Sequence, residues 1–184
     1  MRRGEGLSVE RLNGVAAGQA EDDFRSVYAE AFAEPPYNET ASDIKAAFHR
    51  FRSQIRKSTF SGVLARTDEG EPVGIAYGYL LGADTRWWDD VTPAAPEGMR
   101  HEDGHRTFGL MELAVRPQWR RRGVARLLHD ALLDGTSAER VILNVHPAAL
   151  PATAAYRAWG YRRVGATRPW AGADRQDVML LELR

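Results

Sequence analysis

The chain has 184 residues, which is enough for one well-buried domain and short for two. Its 25 Lys and Arg residues balance 25 Asp and Glu residues, and this zero net charge argues against bulk attraction to nucleic acid. Cysteine is absent, which excludes disulfides and a thiolate nucleophile. No apolar run reaches the roughly 18 residues of a membrane span, and no apolar core follows the N-terminal arginines. We therefore expect a cytoplasmic protein without a membrane partner.

The first part of the chain predicts a strand, two helices and a hairpin, in that order. Apolar residues at helical spacing indicate both helices, and Thr40 with Asp43 three residues on is typical of a helix start. Alternating apolar segments around an Asp-Glu-Gly turn indicate the hairpin. The predicted segments are a strand over 7–12, a helix over 20–32, a helix from Thr40 to about Lys57, and strands over 60–66 and 72–81.

The segment 83–106 has no periodicity, several Pro and Gly residues, and charges of both signs. We expect it to be a long loop inserted in a single domain that spans residues 1–184. Such a long loop is usually functional or disordered. The adjacent Trp87 and Trp88 favour partial order, because two neighbouring exposed indoles would be costly.

A strand and a helix, joined by a basic loop, are predicted between Leu110 and Gly135. The apolar strand ends near Arg116, because Pro117 has no N–H for a sheet ladder. Gly123 then begins a segment with helical apolar spacing. A basic, glycine-containing turn at a helix start is an anion site, because free N–H groups and the helix dipole favour negative charge there.

The last part of the chain predicts a strand, a helix and two antiparallel strands. Pro151 suits the first turn of the helix, and Gly160 suits a left-handed cap at its end. The predicted segments are a strand over 141–145, a helix over 151–159, and strands over 161–166 and 177–183.

The basic loop Arg120-Arg121-Arg122-Gly123-Val124-Ala125 resembles the Arg/Gln-x-x-Gly-x-Gly/Ala motif of the GNAT N-acetyltransferase superfamily, and Val115-Arg116-Pro117 resembles the strand end before it. The resemblance implies an α/β fold, with a mixed sheet of about seven strands flanked by about four helices. It also implies acetyl-CoA as co-substrate, with its pyrophosphate on this loop and its pantetheine amides on the preceding strand. The implied cofactor-binding residues are Leu113, Ala114, Val115, Arg120, Arg121, Arg122, Gly123, Val124, Ala125 and Arg126.

The basic loop has one alternative interpretation, and two other phosphate-binding motifs are excluded. A solvated basic face or a nucleic-acid patch is the alternative, because arginine runs are usually one of these. Neither a nucleotide P-loop nor a Rossmann glycine pattern is present.

A second stretch resembles the family motif after its fifth strand. Ala152, Tyr156 and Gly160-Tyr161 match the pattern, but Ala149 stands where the family has an Asn that binds the pantetheine arm. One cofactor contact is therefore missing or supplied by another residue.

Acetyl transfer to an amine needs a neutral amine, a donor for the developing charge on the carbonyl oxygen, and a proton for the thiolate. The amine has a pKa of about 10.4 and the thiol about 8.5. Tyr156 is the position implied by the family for the proton donor, and a packing tyrosine is the alternative. Glu112 is the candidate base. It is the one charged residue in an otherwise apolar strand, and burial would raise its pKa toward the range useful for a base. The alternatives are an ion pair with an arginine, or water as the base.

The acceptor is expected to be the primary amine of a small molecule, acetylated by direct attack in a ternary complex. The absence of Cys excludes a cysteine acyl-enzyme and favours direct attack. The alternatives are acetylation of a protein N-terminus or lysine, and a non-catalytic acyl-CoA-binding regulatory module. The oligomeric state is open, a homodimer being one possibility. The candidate acceptor-binding residues are Glu34, Tyr37, Trp87, Trp88 and Asp89.

The segment from His101 to His105 fits the H-E-x-x-H pattern of zinc proteases. That chemistry needs both His on one face of a helix, together with a third ligand. Asp103-Gly104 within the segment and the Pro and Gly residues before it indicate a loop, so we expect no metal site.

Overall fold

Strands and helices follow one another in an order close to the predicted one. A computed structural model describes residues 2–4 and 6–183, and this part of the chain contains eight strands and six α-helices. The strands are β1 (Arg2–Gly4), β2 (Leu7–Leu12), β3 (Ser61–Thr67), β4 (Pro72–Leu80), β5 (Thr107–Val115), β6 (Arg140–Val145), β7 (Arg162–Thr167) and β8 (Gln176–Glu182). The helices are α1 (Gly14–Gln19), α2 (Glu21–Phe32), α3 (Ala41–Gln54), α4 (Glu97–Arg100), α5 (Val124–Leu133) and α6 (Leu150–Ala158).

The described chain divides into two compact units, and each unit is built from two separate segments. The first unit comprises Met1–Tyr79 and Met111–Thr136, and the second comprises Leu80–Leu110 and Ser137–Arg184. Strand β5 contributes its first residues to the second unit and its last residues to the first. Each unit has its own sheet pairings, helices and buried residues.

The first unit contains an antiparallel arrangement of strands in the order β1-β2-β3-β4. The predicted hairpin is confirmed: β3 pairs with β4, and the turn between them ends at Gly70, whose φ of 88° suits glycine. Gly74 interrupts the apolar run of β4 for a packing reason. A Cβ there would lie 2.8 Å from Leu128 and 3.2 Å from Val124, so the missing side chain lets α5 approach the strand.

Aromatic residues of α2 and α3 form the core of the first unit. On α2 the buried residues Phe24, Val27, Tyr28 and Ala31 follow the predicted helical spacing. Phe24 lies 5.2 Å from Phe51 of α3, centroid to centroid, within an aromatic cluster that continues onto β4. The cluster therefore fixes both helices against the sheet.

The predicted start of α3 is confirmed in detail. The Thr40 hydroxyl accepts a hydrogen bond from the Asp43 N–H, and the Asp43 carboxylate accepts one from the Thr40 N–H. This capping box satisfies N–H groups that have no partner within the helix. Glu39 immediately precedes Thr40, so the capping box also restrains the backbone next to Glu39.

The second unit combines one parallel and two antiparallel strand pairings. Strand β5 runs parallel to β6 from Thr107, which pairs with Arg140, to Gly109, which pairs with Ile142. The antiparallel pairs are β6 with β8 and β8 with β7, as predicted for the last two strands. Gly160 has a φ of 97° just after α6, which confirms the predicted left-handed cap.

The predicted fold class, a mixed α/β sheet flanked by helices, is confirmed. Strand β1 and helices α1 and α4 add to the elements that the sequence predicts. Helix α1 has six residues with two glycines, too short for a periodic signal, although Asn13 caps it. Helix α4 lies inside 83–106, and Thr92 in this segment forms a bridge with Ala166. Within residues 2–4 and 6–183, no helix has the length and apolar character that crossing a membrane requires.

Candidate active site

The burial of strand β5 changes in its middle, within the first unit. Met111, Glu112 and Leu113 are half-buried, whereas Ala114 and Val115 after them are buried. Consecutive strand residues point to opposite faces, so three half-buried residues in a row mean that water reaches the strand from more than one direction. Glu112 lies at the centre of this half-buried stretch.

The carboxyl group of Glu112 holds its proton unusually well. Burial raises its pKa from the ordinary value of 4.5 to about 8, and the nearby charge of Glu39 adds to the rise. The Leu113 N–H and the charge of Arg50 act in the opposite direction. A carboxyl group with a pKa near neutrality can accept a proton in the pH range where an enzyme works.

Three phenols of the first unit lie in the electrostatic environment of Glu112. Tyr28 is on α2, Tyr37 follows α2, and Tyr77 is on β4. Burial raises the pKa of each phenol, and the Glu112 charge raises each further; for Tyr37 the pKa is about 12. All three phenols therefore stay protonated at neutral pH. The structure thus places the predicted base, Glu112, and a predicted acceptor residue, Tyr37, in one cluster.

Glu39 is a member of this cluster that the sequence did not single out. The Tyr28 hydroxyl donates a hydrogen bond of 2.9 Å to Oε1 of Glu39. Burial raises the pKa of Glu39 above its ordinary value, while the Tyr28 bond and Arg50 lower it. Its position before the Thr40 cap could have drawn attention to it, but its proximity to Glu112 is a tertiary feature that no local pattern reveals.

Arg120, the first arginine of the predicted pyrophosphate loop, binds protein groups of the first unit. Its Nη1 lies 2.7 Å from Oε2 of Glu34, and its Nη2 donates to the carbonyl oxygen of Ala31 over 2.9 Å. Its Nε donates to the carbonyl oxygen of Val115 over 3.3 Å. The side chain therefore joins the loop after β5 to the end of α2. Glu34, a predicted acceptor residue, takes part in this link.

The next two arginines of the loop are exposed. Arg121 has a φ of 61°, and the guanidinium of Arg122 lies 5.1 Å from the centre of the Trp119 ring. Arg126, one turn into α5, pairs with Asp130 at 2.9 Å. Arg121 and Arg122 thus present positive charge to solvent next to the start of α5.

The start of α5 has the features of an anion site. Gly123 is its N-cap with a φ of 78°, and no side chain caps the helix. The first-turn N–H groups, including those of Val124 and Ala125, have no partner within the helix because of their position. A Cβ built on Gly123 would meet nothing within 4 Å, so there is open space above the helix start. These groups fit a phosphate.

Tyr156, the predicted proton donor, lies on α6 in the second unit. It is buried, and its ring lies edge-on to Trp159 at 5.6 Å and to Tyr161 at 5.4 Å. Helix α6 begins after Ala149, which provides no side-chain cap, with Pro151 in its first turn. The aromatic cluster holds the ring of Tyr156 in one orientation.

The predicted acceptor residues from Trp87 to Asp89 also belong to the second unit, where they differ in environment. Trp88 is buried, and its Nε1 donates to Oε1 of Glu102 over 2.9 Å. Trp87 is half-buried, and its Nε1 has no hydrogen-bond partner among the described residues. Asp89 is exposed and pairs with Arg86 at 3.0 Å. Trp88 and Asp89 line a cavity of about 270 Å³, together with Thr85, Glu97, Arg100 and His101.

The H-E-x-x-H segment is not helical, as predicted. Helix α4 ends at Arg100, and the following residues to His105 lie outside regular structure. Glu102 is buried against Arg140, with 2.9 Å between Oε1 and Nη2. Across the described residues 2–4 and 6–183, no group of three or more His, Asp or Glu side chains is arranged to hold a metal ion.

A comparison with protein families decides the family of this chain. Residues 21–161 match the family model described as the acetyltransferase (GNAT) family, and this range covers most of the chain. The chain belongs to the GNAT acetyltransferase family. No curated protein matches it in sequence.

Solved structures agree with this GNAT fold. The structure of PH1933 from Pyrococcus horikoshii OT3 has a TM-score of 0.68 at 16% identity, covering 97% of this chain and 99% of that one. The histone acetyltransferase HPA2 and related acetyltransferase from Corynebacterium glutamicum gives 0.64 at 18% identity, covering 95% of each. AAC(6')-Iy, in complex with the bisubstrate analogue CoA-S-monomethyl-acetylneamine, gives 0.53 at 16% identity, covering 84% of this chain and 89% of that one. At these identities the likeness shows the fold alone.

Proposed function

We propose that this GNAT protein transfers an acetyl group from acetyl-CoA to the primary amine of a small molecule, by direct attack in a ternary complex. The observation that carries the proposal is the half-buried Glu112, whose pKa of about 8 lies between the ordinary carboxyl range and that of an alkyl amine. Such a carboxylate can accept a proton from an ammonium group near neutral pH. A solely structural strand residue has no need of this property.

Acetyl-CoA supplies a thioester carbonyl that an amine can attack. In the proposal its phosphates are held by the open helix start at Gly123 and by the exposed Arg121 and Arg122. The backbone groups of Leu113, Ala114 and Val115 bind its amides and polarise its carbonyl, while Val124 and Ala125 contribute N–H groups to the phosphate site. Arg120 and Arg126 support the loop through Glu34 and Asp130, to which they are paired.

The protons move between named atoms of this chain. The Glu112 carboxylate accepts a proton from the acceptor ammonium, which frees the nitrogen lone pair for attack. The Tyr156 hydroxyl donates a proton to the departing thiolate. The carbon–nitrogen bond forms first, and the bonded nitrogen then loses a second proton as the carbon–sulfur bond breaks. This second proton passes through solvent to the Tyr156 phenolate and restores its hydroxyl, so both protons that leave the nitrogen have a destination. Neither step uses a covalent acyl-enzyme, in agreement with the absence of cysteine.

A small amine is favoured by the surroundings of Glu112. Glu112 is half-buried, and its charge acts on the phenols of Tyr28, Tyr37 and Tyr77 in the first unit. The carboxylate attracts an ammonium group by charge, and the half-buried ring of Tyr37 can add a cation–π contact. AAC(6')-Iy, whose fold is similar, is in complex with the bisubstrate analogue CoA-S-monomethyl-acetylneamine. In the second unit the cavity at Trp88 and Asp89 is a further candidate acceptor surface.

The test is a panel of primary amines incubated with acetyl-CoA, with the released thiol measured by a chromogenic disulfide reagent. The protein has no cysteine and gives no background in this assay. We expect turnover of a small amine by the wild type and a large loss in Glu112→Gln. Turnover of peptides alone would favour a protein acetyltransferase. Binding of CoA by calorimetry, with no turnover of any amine or peptide, would favour a non-catalytic module.

The proposal treats residues 1–184 as one catalytic domain. Its support is the continuity of β5, which contributes to both compact units. Limited proteolysis with and without CoA would check this assignment, because a single domain resists cleavage between its units. A stable, CoA-binding fragment of one unit alone would contradict it.

A further inference from the structure

A buried carboxylate oxygen in the first unit lacks a hydrogen-bond donor. In Glu39, Oε1 accepts the Tyr28 hydroxyl at 2.9 Å, whereas the buried Oε2 has no hydrogen-bond partner among the described residues. A buried polar atom without a partner costs free energy, and more so when it carries charge. A packing role alone leaves this cost unexplained, because an apolar side chain of similar length would avoid it.

Glu39 is held in place by three restraints. The Tyr28 ring lies in the aromatic core, 5.5 Å from Phe48 and edge-on to it, so its hydroxyl has little freedom. The chain after Glu39 enters the capping box of α3 at Thr40. Its N–H also donates to the carbonyl oxygen of Phe32 over 2.9 Å. A charge held by these three restraints acts on its neighbours at a constant distance.

The neighbour that this charge affects is Glu112. The charged groups that bear on Glu112 are Glu39, which favours its protonated form, and Arg50, which opposes it; the Leu113 N–H also opposes it. The phenols of Tyr28, Tyr37 and Tyr77 respond to the Glu112 charge in turn. Asp43 acts on Glu39 from α3. Glu39 is the acidic side chain in this set that favours the proton on Glu112.

We propose that Glu39, anchored by the Tyr28 hydroxyl, is a positioning residue that acts through Glu112 and sets the pH range in which Glu112 accepts a proton from the acceptor amine. This role rests on the proposed function, because it assigns Glu39 to the proton transfer of that reaction. The proton leaves the ammonium nitrogen for a Glu112 carboxylate oxygen, and Glu39 takes no proton in this transfer. A like charge beside the base makes it a stronger base.

The test is a direct titration of Glu112 that does not depend on turnover. The 13C signal of its carboxyl carbon is followed against pH in labelled protein and assigned by its loss in Glu112→Gln. In Glu39→Gln, which removes the charge and keeps the shape, the midpoint should fall by about one pH unit. In Tyr28→Phe, Glu39 loses its donor and part of its charge, so the midpoint should fall in the same direction by less.

The matched control is Glu69→Gln, at an exposed position in the turn between β3 and β4. It makes the same chemical change in the same unit and should leave the Glu112 midpoint unchanged. An unchanged midpoint in both Glu39→Gln and Tyr28→Phe would overturn the proposal, even if both variants lowered the melting temperature. If Glu39→Gln does not fold, the Tyr28→Phe midpoint decides between these outcomes.

Kinetics extend the test once an acceptor is known. The rise of kcat/KM with pH should move to lower pH in Glu39→Gln by the same amount as the carboxyl midpoint. If no amine in the panel were acetylated, the proposed function would be wrong. The titration would still report whether Glu39 affects the pKa of Glu112. A moved midpoint with an unmoved kcat/KM profile would overturn the role of Glu39 in the reaction.

Discussion

Arg120 and Glu34 form an ion pair at 2.7 Å, although 86 residues separate them in the chain. The resemblance to the family implied a cofactor contact for Arg120, and Glu34 was a candidate acceptor residue. In the structure the two side chains bind each other, and Arg120 also binds the carbonyl oxygens of Ala31 and Val115. The pair is largely exposed, so its contribution to stability is modest. Its geometric role is to hold the basic loop beside α2.

We expect Arg120→Met to act mainly on stability and Arg121→Met mainly on the cofactor. Arg120→Met removes three hydrogen bonds and should therefore lower the free energy of unfolding. In a chain of this size, each 1 kcal/mol lost lowers Tm by roughly 2–4 °C. Arg121→Met removes an exposed charge beside the helix start and should weaken CoA binding without this loss. Thermal melts and calorimetry with CoA separate the two effects. Weaker CoA binding and an unchanged Tm in Arg120→Met, with a lower Tm and unchanged CoA binding in Arg121→Met, would assign Arg120 to the phosphate site.

Gly123→Val should abolish or greatly weaken CoA binding. The side chain would occupy the open space above the start of α5, and we expect a decrease on the order of tenfold or more in affinity. A β-branched residue at a φ of 78° also strains the backbone. Gly135→Val is the matched control, because Gly135 follows the other end of α5 with a φ of 75° and open space around it. Equal CoA affinity in the two folded variants would refute the phosphate site.

The sequence could predict features that depend on residues close together in the chain. Examples are the Thr40 and Asp43 capping box, the Gly160 cap and the turn at Gly70. It could also single out Glu112 as a candidate base, because a single charge in an apolar strand is visible in the sequence itself; this role stays a prediction. These features have a physical cause that acts within a few residues.

Contacts between residues far apart in the chain could not be predicted from the sequence. Neither the Arg120–Glu34 pair nor the Tyr28–Glu39 bond leaves a local pattern, because each depends on how α2 packs against the rest of the first unit. The segment 83–106 is likewise more ordered than its composition suggested. Within this segment Glu102 accepts a hydrogen bond from Arg140, which lies 38 residues further along the chain.

Glu102→Ala should destabilise the second unit strongly. Three donors converge on Oε1 of Glu102, each at 2.9 Å: Trp88, Thr107 and Arg140. Removal of the carboxylate leaves the buried Arg140 charge without its partner, which typically costs about 3–5 kcal/mol. Urea unfolding measures the change, with Glu97→Ala as an exposed control in the same segment. A loss as small as that of the control would mean that 83–106 is not anchored through Glu102.

Glu112 should make stability depend on pH in a defined window. Its pKa in the folded protein is about 8, above its ordinary value of 4.5, so the folded state binds more protons between these values. Its contribution is complete below pH 4.5 and is lost as pH rises through about 8. The free energy of unfolding should therefore fall across this window in the wild type and fall less in Glu112→Gln. Urea unfolding at a series of pH values measures this free energy. If it changed with pH by the same amount in both proteins, the pKa of Glu112 would not be raised by folding.

Tyr156→Phe tests the proposed proton donor. Its hydroxyl meets charge that develops late in the reaction, so its removal should leave CoA binding intact. General acid assistance is worth about 10²- to 10⁴-fold, and we expect the low end because water can partly replace the phenol. The loss should appear in kcat with little change in the KM for acetyl-CoA.

A packing role for Tyr156 makes different predictions for the same variant. Its ring meets Trp159 and Tyr161 edge-on, and Phe preserves both contacts. A packing tyrosine would therefore keep kcat and change only the melting temperature. Tyr161→Phe is the control, because Tyr161 is buried in the same aromatic cluster and has no proposed part in the chemistry. A wild-type kcat in Tyr156→Phe, under conditions where chemistry limits turnover, would assign the thiolate proton to solvent.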